Sequence, residues 1–164
     1  MIHPLNMTSS ELSPHVVVVI HDHIAIPNLM GLNVLIGPSL TPNTPRFIPL
    51  SNAYSRTLRK LAFKAHMTDP ELSSKLTLVE GTYAWVIGPT YESSVEGRFL
   101  SMAGGDVVGA STVPEVLVAR EEGMEVLVLS LVTNRVVMAQ TESIRAEVEA
   151  ELVCQCSSGA CSNC

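Results

Sequence analysis

Tyr91 and Glu92 place an aromatic ring and a carboxylate side by side, just after the apolar run 83–87 and the Gly88-Pro89 pair that ends it. An ionised carboxylate only accepts hydrogen bonds. The pair could therefore form a pocket wall that recognises a flat polar ligand. The simpler alternative is a helix start, because acidic side chains favour a helix N-terminus whatever the protein does.

Polar side chains also follow two further apolar segments. Ser111 and Thr112 follow 106–110, and the sequence Thr133-Asn134-Arg135 follows 125–132. In open parallel sheets, ligands bind beyond the carboxyl ends of the strands. If the three predicted strands lie side by side, these residues share one edge with Glu92. Each also has a plainer interpretation, with Ser111 and Thr112 as helix N-caps and Thr133-Asn134 as a turn.

The elements that must position these side chains alternate along the chain. Strands are predicted at 16–20, 83–87, 106–110 and 125–132, the last as a central parallel strand because it is continuously apolar. Helices are predicted from Ser51, from the Ser93/Glu96 capping box, from Thr112 to Gly123, and over 144–152. Residues 26–49, rich in Pro, Gly and Asn, are expected to form a long irregular loop. This order predicts an α/β fold with a parallel sheet.

The composition describes one globular domain. The chain has 164 residues, of which 46% are hydrophobic and 16% charged. A net charge of −6 without a Lys/Arg cluster argues against nucleic acid and anionic membranes as partners. The run 16–20 is too short to cross a bilayer, and the N-terminus lacks signal-peptide features. A cytoplasmic protein is expected.

The cysteines all lie in the stretch CQCSSGACSNC at 154–164. The rest of the chain has no disulfide framework, as expected in a reducing compartment. Four thiolates could bind zinc, but the cramped spacing favours a flexible, exposed, reduced tail. The sequence His21-Asp22-His23 has metal-ligand spacing without a neighbouring cysteine or acidic cluster, so no metal site is predicted.

Three segments carry a family resemblance: GTYAWVIGPTYES, GGDVVGASTVPEVLVARE and SLVTNRV. In order and spacing they resemble the C-terminal half of the trimeric purine nucleoside phosphorylases, over about residues 16–138. The resemblance implies a three-layer α/β/α sandwich with a mainly parallel or mixed central sheet, here without its N-terminal half. It divides the chain into an unmatched segment 1–15, a partial phosphorylase domain 16–153 and the Cys-rich tail 154–164.

The resemblance implies phosphorolysis of 6-oxopurine nucleosides such as inosine and guanosine, or their deoxy forms, to free base and (deoxy)ribose 1-phosphate in purine salvage. Glu92 would accept hydrogen bonds from the purine N1–H and 2-amino group, and Asn134 would serve O6 and N7. Negative charge builds on the base as the glycosidic bond breaks, and a donor at N7 stabilises it. The related methylthioadenosine phosphorylases carry Asp at the position of Asn134 and lack Glu92, so 6-oxopurines are the expected substrates.

The resemblance assigns other residues to the ligand as well. Tyr91 lies against the base, with Thr133 beside Asn134, and Val108 lines the base pocket. Ala110 stands where the family usually has a ribose-contacting Met. The Ser111 hydroxyl binds phosphate at a helix N-terminus, a natural anion site. Phe47 reaches the ribose pocket of a neighbouring subunit, which implies a homotrimer. Inorganic phosphate is the co-substrate, and no cofactor or metal is expected.

Parts of the family pattern have no counterpart here. These are the glycine-rich phosphate loop, the Arg and His of the phosphate site, an Asn-Ala-Ala-Gly-Gly stretch under the purine, and a later His that bonds the ribose. An apolar strand edge is consequently expected to lack its partner. The alternative function is therefore a non-catalytic, truncated family member that binds purine or modulates oligomers, co-assembling with a full-length homologue.

Overall fold

The computed structural model describes residues 3–4, 15–38, 47–138 and 143–157. Its strands are β1 His3–Pro4, β2 Val16–Ala25, β3 Thr77–Trp85, β4 Val107–Gly109 and β5 Leu129–Leu131. Its helices are α1 Ile26–Leu29, α2 Arg56–Thr68, α3 Pro70–Lys75, α4 Ser94–Met102, α5 Val113–Glu121 and α6 Ile144–Ser157. Over these residues the strands form one sheet in the order β1-β4-β3-β2-β5.

The sheet is mixed, with a parallel centre. β2, β3 and β4 run parallel to one another. β1 pairs antiparallel with β4, and β5 pairs antiparallel with β2. The prediction of a mainly parallel or mixed central sheet is thus confirmed, with parallel strands at the centre and antiparallel strands at both ends of the described sheet.

The prediction of a central parallel strand over 125–132 was wrong. Only Leu129–Leu131 is a strand, at the sheet edge and antiparallel to β2, and β2 separates it from β3. Ser130 faces the core, whereas Leu129 and Leu131 are 53% and 52% exposed. Val126 forms an isolated bridge with Tyr54 instead. An apolar run alone does not distinguish a central strand from an edge strand with one uncovered face.

Each face of the sheet carries a helix. On one face, α5 packs Val113, Val116 and Leu117 against side chains of β2 and β3, among them Ile20 and Tyr83. On the other face, Leu100 of α4 packs against Ala84 and Val108. The two clusters place α4 and α5 on opposite sides of the same strands, which is the three-layer arrangement.

β2 contains a bulge that changes which of its side chains face α5. Ile20 pairs with Gly81, but Asp22 pairs with the next residue of β3, Thr82, so His21 is the extra residue. Before the bulge, even-numbered residues such as Ile20 face α5. After it, odd-numbered residues do, and His23 pairs with Tyr83.

Two helix starts differ from prediction. The helix expected from Ser51 begins at Arg56, capped by the Ser55 hydroxyl, which accepts a hydrogen bond from the Leu58 amide at 3.3 Å. Tyr54 therefore precedes the helix instead of lying in its first turn. Thr112 occupies the N-cap position of α5 but makes no capping hydrogen bond, because its backbone adopts a φ of +79°. The prediction that Thr112 caps this helix was wrong.

The remaining segments differ in how much of them the structure describes. In the predicted loop 26–49, α1 and turns occupy the first part, and 39–46 lie outside the described residues. α3 was not predicted; Asp69 caps it by accepting from the amides of Glu71 and Leu72. The backbone of 154–157 continues α6, and the rest of the Cys-rich tail lies outside the described residues. None of the described helices is both long and apolar enough to span a bilayer.

Candidate active site

Two separate chain segments meet in a cleft of about 160 Å³. One segment is the connection between β3 and α4, and the other follows β5. The cleft is lined by Tyr91, Glu92, Asn134, Arg135, Val136 and Val137. The structure therefore brings together the aromatic ring, the carboxylate and the amide that the sequence placed at strand ends, although their strands are not neighbours.

Glu92 is presented by the capping of α4. The Ser93 hydroxyl accepts a hydrogen bond from the Glu96 amide at 3.3 Å, and the Ser93 amide donates to the Glu96 carboxylate at 2.7 Å. The predicted capping box is thus confirmed. The hydrogen bonds from the Ser93 backbone and side chain lower the pKa of Glu96. Because Ser93 and Glu96 satisfy the helix start, Glu92 is not needed for capping and can face a ligand.

Asn134 is oriented by its neighbour. The Thr133 hydroxyl donates a hydrogen bond to the Asn134 carbonyl oxygen, with an oxygen–oxygen distance of 2.9 Å. Only the oxygen of the side-chain amide can accept this bond. The nitrogen with its two N–H groups therefore lies at the other end of the amide, away from Thr133. The arrangement suits a residue that donates a hydrogen bond to a ligand.

The segment that carries Asn134 is seated on α4. A Cβ added at the buried Gly97 would lie 2.6 Å from Val136 Cγ1 and 3.2 Å from Met138 Cγ, so only glycine allows this close approach. The Arg98 guanidinium donates to the Met138 carbonyl at 3.2 Å. One helix consequently holds both walls of the cleft, with Glu92 before its start and Asn134 on the segment packed along it.

Five other predicted ligand residues lie outside this lining: Val108, Ala110, Ser111, Thr133 and Phe47. Val108 is 0% exposed, packed between Ala84 and Leu100. Ala110 and Ser111 are exposed between β4 and α5, and the Ser111 hydroxyl lies 3.2 Å from that of Thr112.

Phe47 is 91% exposed and lines a different cavity, together with Leu50 and Leu117. Glu92 and Asn134 are therefore brought together within one chain, whereas the predicted phosphate and ribose contacts are not gathered around them.

A second cleft of about 210 Å³ adjoins the first. Its lining is Ile26, Val86, Ile87, Thr90, Tyr91, Glu92, Glu96, Phe99 and Leu100. Tyr91 and Glu92 are common to both clefts. Sequence reasoning assigned no ligand role to Val86, Phe99 or Val136, because apolar residues in strands and helices are usually core. It placed Arg135 at the strand edge without giving it a role.

The His-x-His sequence is engaged in packing. His23 Nδ1 lies 2.9 Å from the Tyr54 hydroxyl, and the two rings meet edge to face. Burial lowers the pKa of His23, and burial also raises that of Tyr54. His23 and the Tyr54 hydroxyl thus share one hydrogen bond, and the tautomer of the His23 ring sets which of them donates. Within the described part of the chain, no three His, Cys, Asp or Glu side chains cluster as metal ligands.

The known proteins that this chain resembles in sequence are phosphorylases. The sequence pattern of the Phosphorylase superfamily matches residues 8–155. The purine nucleoside phosphorylase of Saccharomyces cerevisiae is 51% identical over 119 residues, which cover 73% of this chain and 37% of that protein. The Mus musculus purine nucleoside phosphorylase is 44% identical over 122 residues, covering 74% and 41% respectively.

A solved structure agrees in fold. Schistosoma purine nucleoside phosphorylase in complex with guanosine superposes with a TM-score of 0.76 at 38% identity, covering 92% of this chain and 56% of that one. The chain thus spans about two fifths of the length of the two curated relatives and about half of the solved structure.

Proposed function

Because the chain belongs to the phosphorylase superfamily, among its purine nucleoside phosphorylases, we propose that it takes part in phosphorolysis of 6-oxopurine nucleosides. Inosine or guanosine, or their deoxy forms, would react with inorganic phosphate to give free base and (deoxy)ribose 1-phosphate, a step of purine salvage. The observation that supports this is the shared cleft of Tyr91, Glu92 and Asn134. A ring, an acceptor and a donor at one cleft match the edge of a 6-oxopurine.

In the proposed reaction, Glu92 and Asn134 hold opposite ends of that edge. The Glu92 carboxylate accepts from N1–H and the 2-amino group. The Asn134 amide serves O6 and donates to N7, with Thr133 fixing its orientation. When the bond from C1′ to N9 breaks, its electron pair passes to the purine, and a phosphate oxygen forms the new bond to C1′. The N7 hydrogen bond strengthens as that negative charge grows, which stabilises the transition state.

The other assignments complete the proposal. Ser111 contacts phosphate before α5, Val108 and Ala110 belong to the base and ribose side, and Phe47 serves the ribose pocket of a neighbouring subunit. The working protein would then be a cytoplasmic homotrimer that uses inorganic phosphate and no cofactor. Exposure of Phe47 supports its availability to another subunit.

A second candidate function is purine binding without turnover. The chain covers 37% of the length of the yeast relative, and Ser111 alone is assigned to phosphate. Such a chain would bind hypoxanthine or guanine and co-assemble with a full-length homologue. It would modulate that oligomer instead of catalysing the reaction itself.

Release of hypoxanthine from inosine, with and without phosphate, separates the two candidates. For the enzyme, we expect phosphate-dependent release. Glu92→Gln should lower kcat/KM about 10- to 150-fold, because a hydrogen bond to a charged group contributes about 1.5–3 kcal/mol. Glu115→Gln makes the same chemical change on the exposed side of α5 and should leave the rate unchanged.

These results distinguish the two candidate functions, provided that circular dichroism shows that the protein is folded. Purine binding by calorimetry without hypoxanthine release would replace the enzyme with the second candidate. Absence of both binding and release would reject both candidates.

A further inference from the structure

The two clefts of the candidate site meet at Tyr91 and Glu92, which line both. Asn134 lines only the smaller cleft, and the larger one extends from Glu92 toward α1 and α4. We infer that the larger cleft accepts an apolar substituent carried on the 2-amino group of the purine. This substrate or ligand class rests on the proposed function, because it uses the proposed orientation of the base.

That orientation directs the substituent. With O6 and N7 at Asn134, the 2-amino group lies at the Glu92 end of the base. A group attached there points away from Asn134 and toward the cleft beyond Glu92. A mono-substituted 2-amino group retains one N–H, so it can still donate to the Glu92 carboxylate. Substitution at this position therefore need not break the recognition of the base.

The walls of the larger cleft suit an apolar group. Most of them are apolar side chains: Ile26, Val86, Ile87, Phe99 and Leu100. The charged group on this wall, besides Glu92, is Glu96, whose carboxylate accepts from the Ser93 amide in the capping box. Apolar cavities of about 150 Å³ in other proteins hold a benzene ring. A cleft of about 210 Å³ therefore has room for a benzyl group.

Calorimetric titration of the whole chain with three purines tests this inference. We expect N2-benzylguanine to bind about 10- to 100-fold more tightly than guanine, because the phenyl group leaves water for apolar walls. O6-benzylguanine carries the same group at the Asn134 end and lacks the N1–H from which Glu92 accepts, so it should bind no more tightly than guanine. Phe99→Ala should bring the ratio of the two dissociation constants, guanine to N2-benzylguanine, toward one. Phe63→Ala, the same truncation on α2 away from both clefts, should leave that ratio unchanged.

The outcomes distinguish a failure of this inference from a failure of the proposed function. If guanine binds and N2-benzylguanine binds no better, the inference is overturned and the proposed function stands. An equal gain for both benzyl isomers would overturn it too, since the gain would then be unspecific. If none of the purines binds to folded protein, the inference and the proposed function fall together.

Discussion

Replacing Gly97 by alanine should disturb the candidate site from within helix α4. The new Cβ would lie 2.6 Å from Val136 Cγ1. Ordinary contact begins at 3.4 Å, so Val136 would have to move by about 0.8 Å, the difference between those distances. Val136 follows Asn134 by two residues and lines the same cleft. A substitution that adds one methyl group on α4 should therefore displace the Asn134 amide, which we propose reads the base.

Two opposing effects set the change in the free energy of unfolding. Alanine is favoured over glycine inside a helix by about 0.8–1.0 kcal/mol. Overpacking a well-packed contact costs about 1–3 kcal/mol. With about 2 kcal/mol of overpacking less about 1 kcal/mol of propensity, a net loss of about 1 kcal/mol is expected. A misplacement of about 1 Å in an active site can cost about 100-fold in catalytic rate. For a smaller displacement of the Asn134 amide, we expect guanine binding to weaken about tenfold.

Urea denaturation followed by circular dichroism measures the first quantity, and calorimetric titration with guanine measures the second. The matched comparison is the double variant Gly97→Ala/Val136→Ala, from which the clashing methyl group has been removed. Its stability and affinity should equal or exceed those of Val136→Ala alone, because the helix-propensity gain then outweighs the milder approach of the new Cβ to the flexible Met138 side chain at 3.2 Å. The difference between the two backgrounds isolates the contact itself.

The reasoning would be refuted by a Gly97→Ala protein that is about 1 kcal/mol more stable than the parent and binds guanine equally well. Helix propensity would then act unopposed. The close approach of α4 to the Asn134 segment could not be what positions the amide.

Three further predictions concern single side chains. Ser93→Ala should lower the free energy of unfolding by about 1 kcal/mol in urea denaturation, because α4 loses its N-cap. Burial lowers the pKa of His23, so protonation favours the unfolded chain: stability should fall as pH drops below the ordinary histidine value of 6.5 and toward the folded pKa. His23→Gln should flatten this part of the pH profile. Asn134→Asp should raise the affinity for adenine relative to hypoxanthine about tenfold or more, because a carboxylate accepts from a 6-amino group but repels O6.

Each of the Ser93, His23 and Asn134 predictions has a control variant or a result that would contradict it. Ser94→Ala makes the same truncation one residue inside α4 and should change stability by less than Ser93→Ala; equal losses would contradict the capping explanation. His21→Gln alters an exposed histidine and should retain the slope below pH 6.5 that His23→Gln removes. An unchanged adenine-to-hypoxanthine ratio in Asn134→Asp would show that this side chain does not read position 6.

Local hydrogen-bond chemistry could be predicted from the sequence. The Ser93/Glu96 capping box depends on residues three apart, and the structure contains both of its hydrogen bonds. From that local rule it also followed that Glu92 could serve a ligand. Val113–Glu121 begins near the predicted position, but the positive φ of Thr112 removed the expected side-chain cap. Backbone conformation at a single residue is set by the surrounding packing, which a sequence pattern does not contain.

Tertiary placement was harder to predict. The run 125–132 has the composition of a central strand, yet only Leu129–Leu131 forms a strand, at an edge of the described sheet. Asn134 lies beside Glu92 because the residues that follow it, Val136 and Met138, pack on Gly97 of α4, and not because the two residues end adjacent strands. A glycine within a helical stretch of sequence does not indicate which other segment of the chain will pack against it. The co-location of Glu92 and Asn134 was therefore predicted for a reason that the sheet order does not support.

The bulge at His21 gives strand β2 one residue more than the strand it pairs with, 10 residues against 9 in β3. The extra residue corrects the phase of the strand, so that Ile20 and His23 both lie on the α5 side although they are three apart. If His21 were instead paired in register with Thr82, His23 would turn to the α4 side and lose the Tyr54 hydroxyl. Deleting His21 would leave a regular strand in which Ile20 still pairs with Gly81 and His23 with Tyr83. The position is therefore expected to tolerate the loss of a residue better than the loss of the bulge with His21 retained.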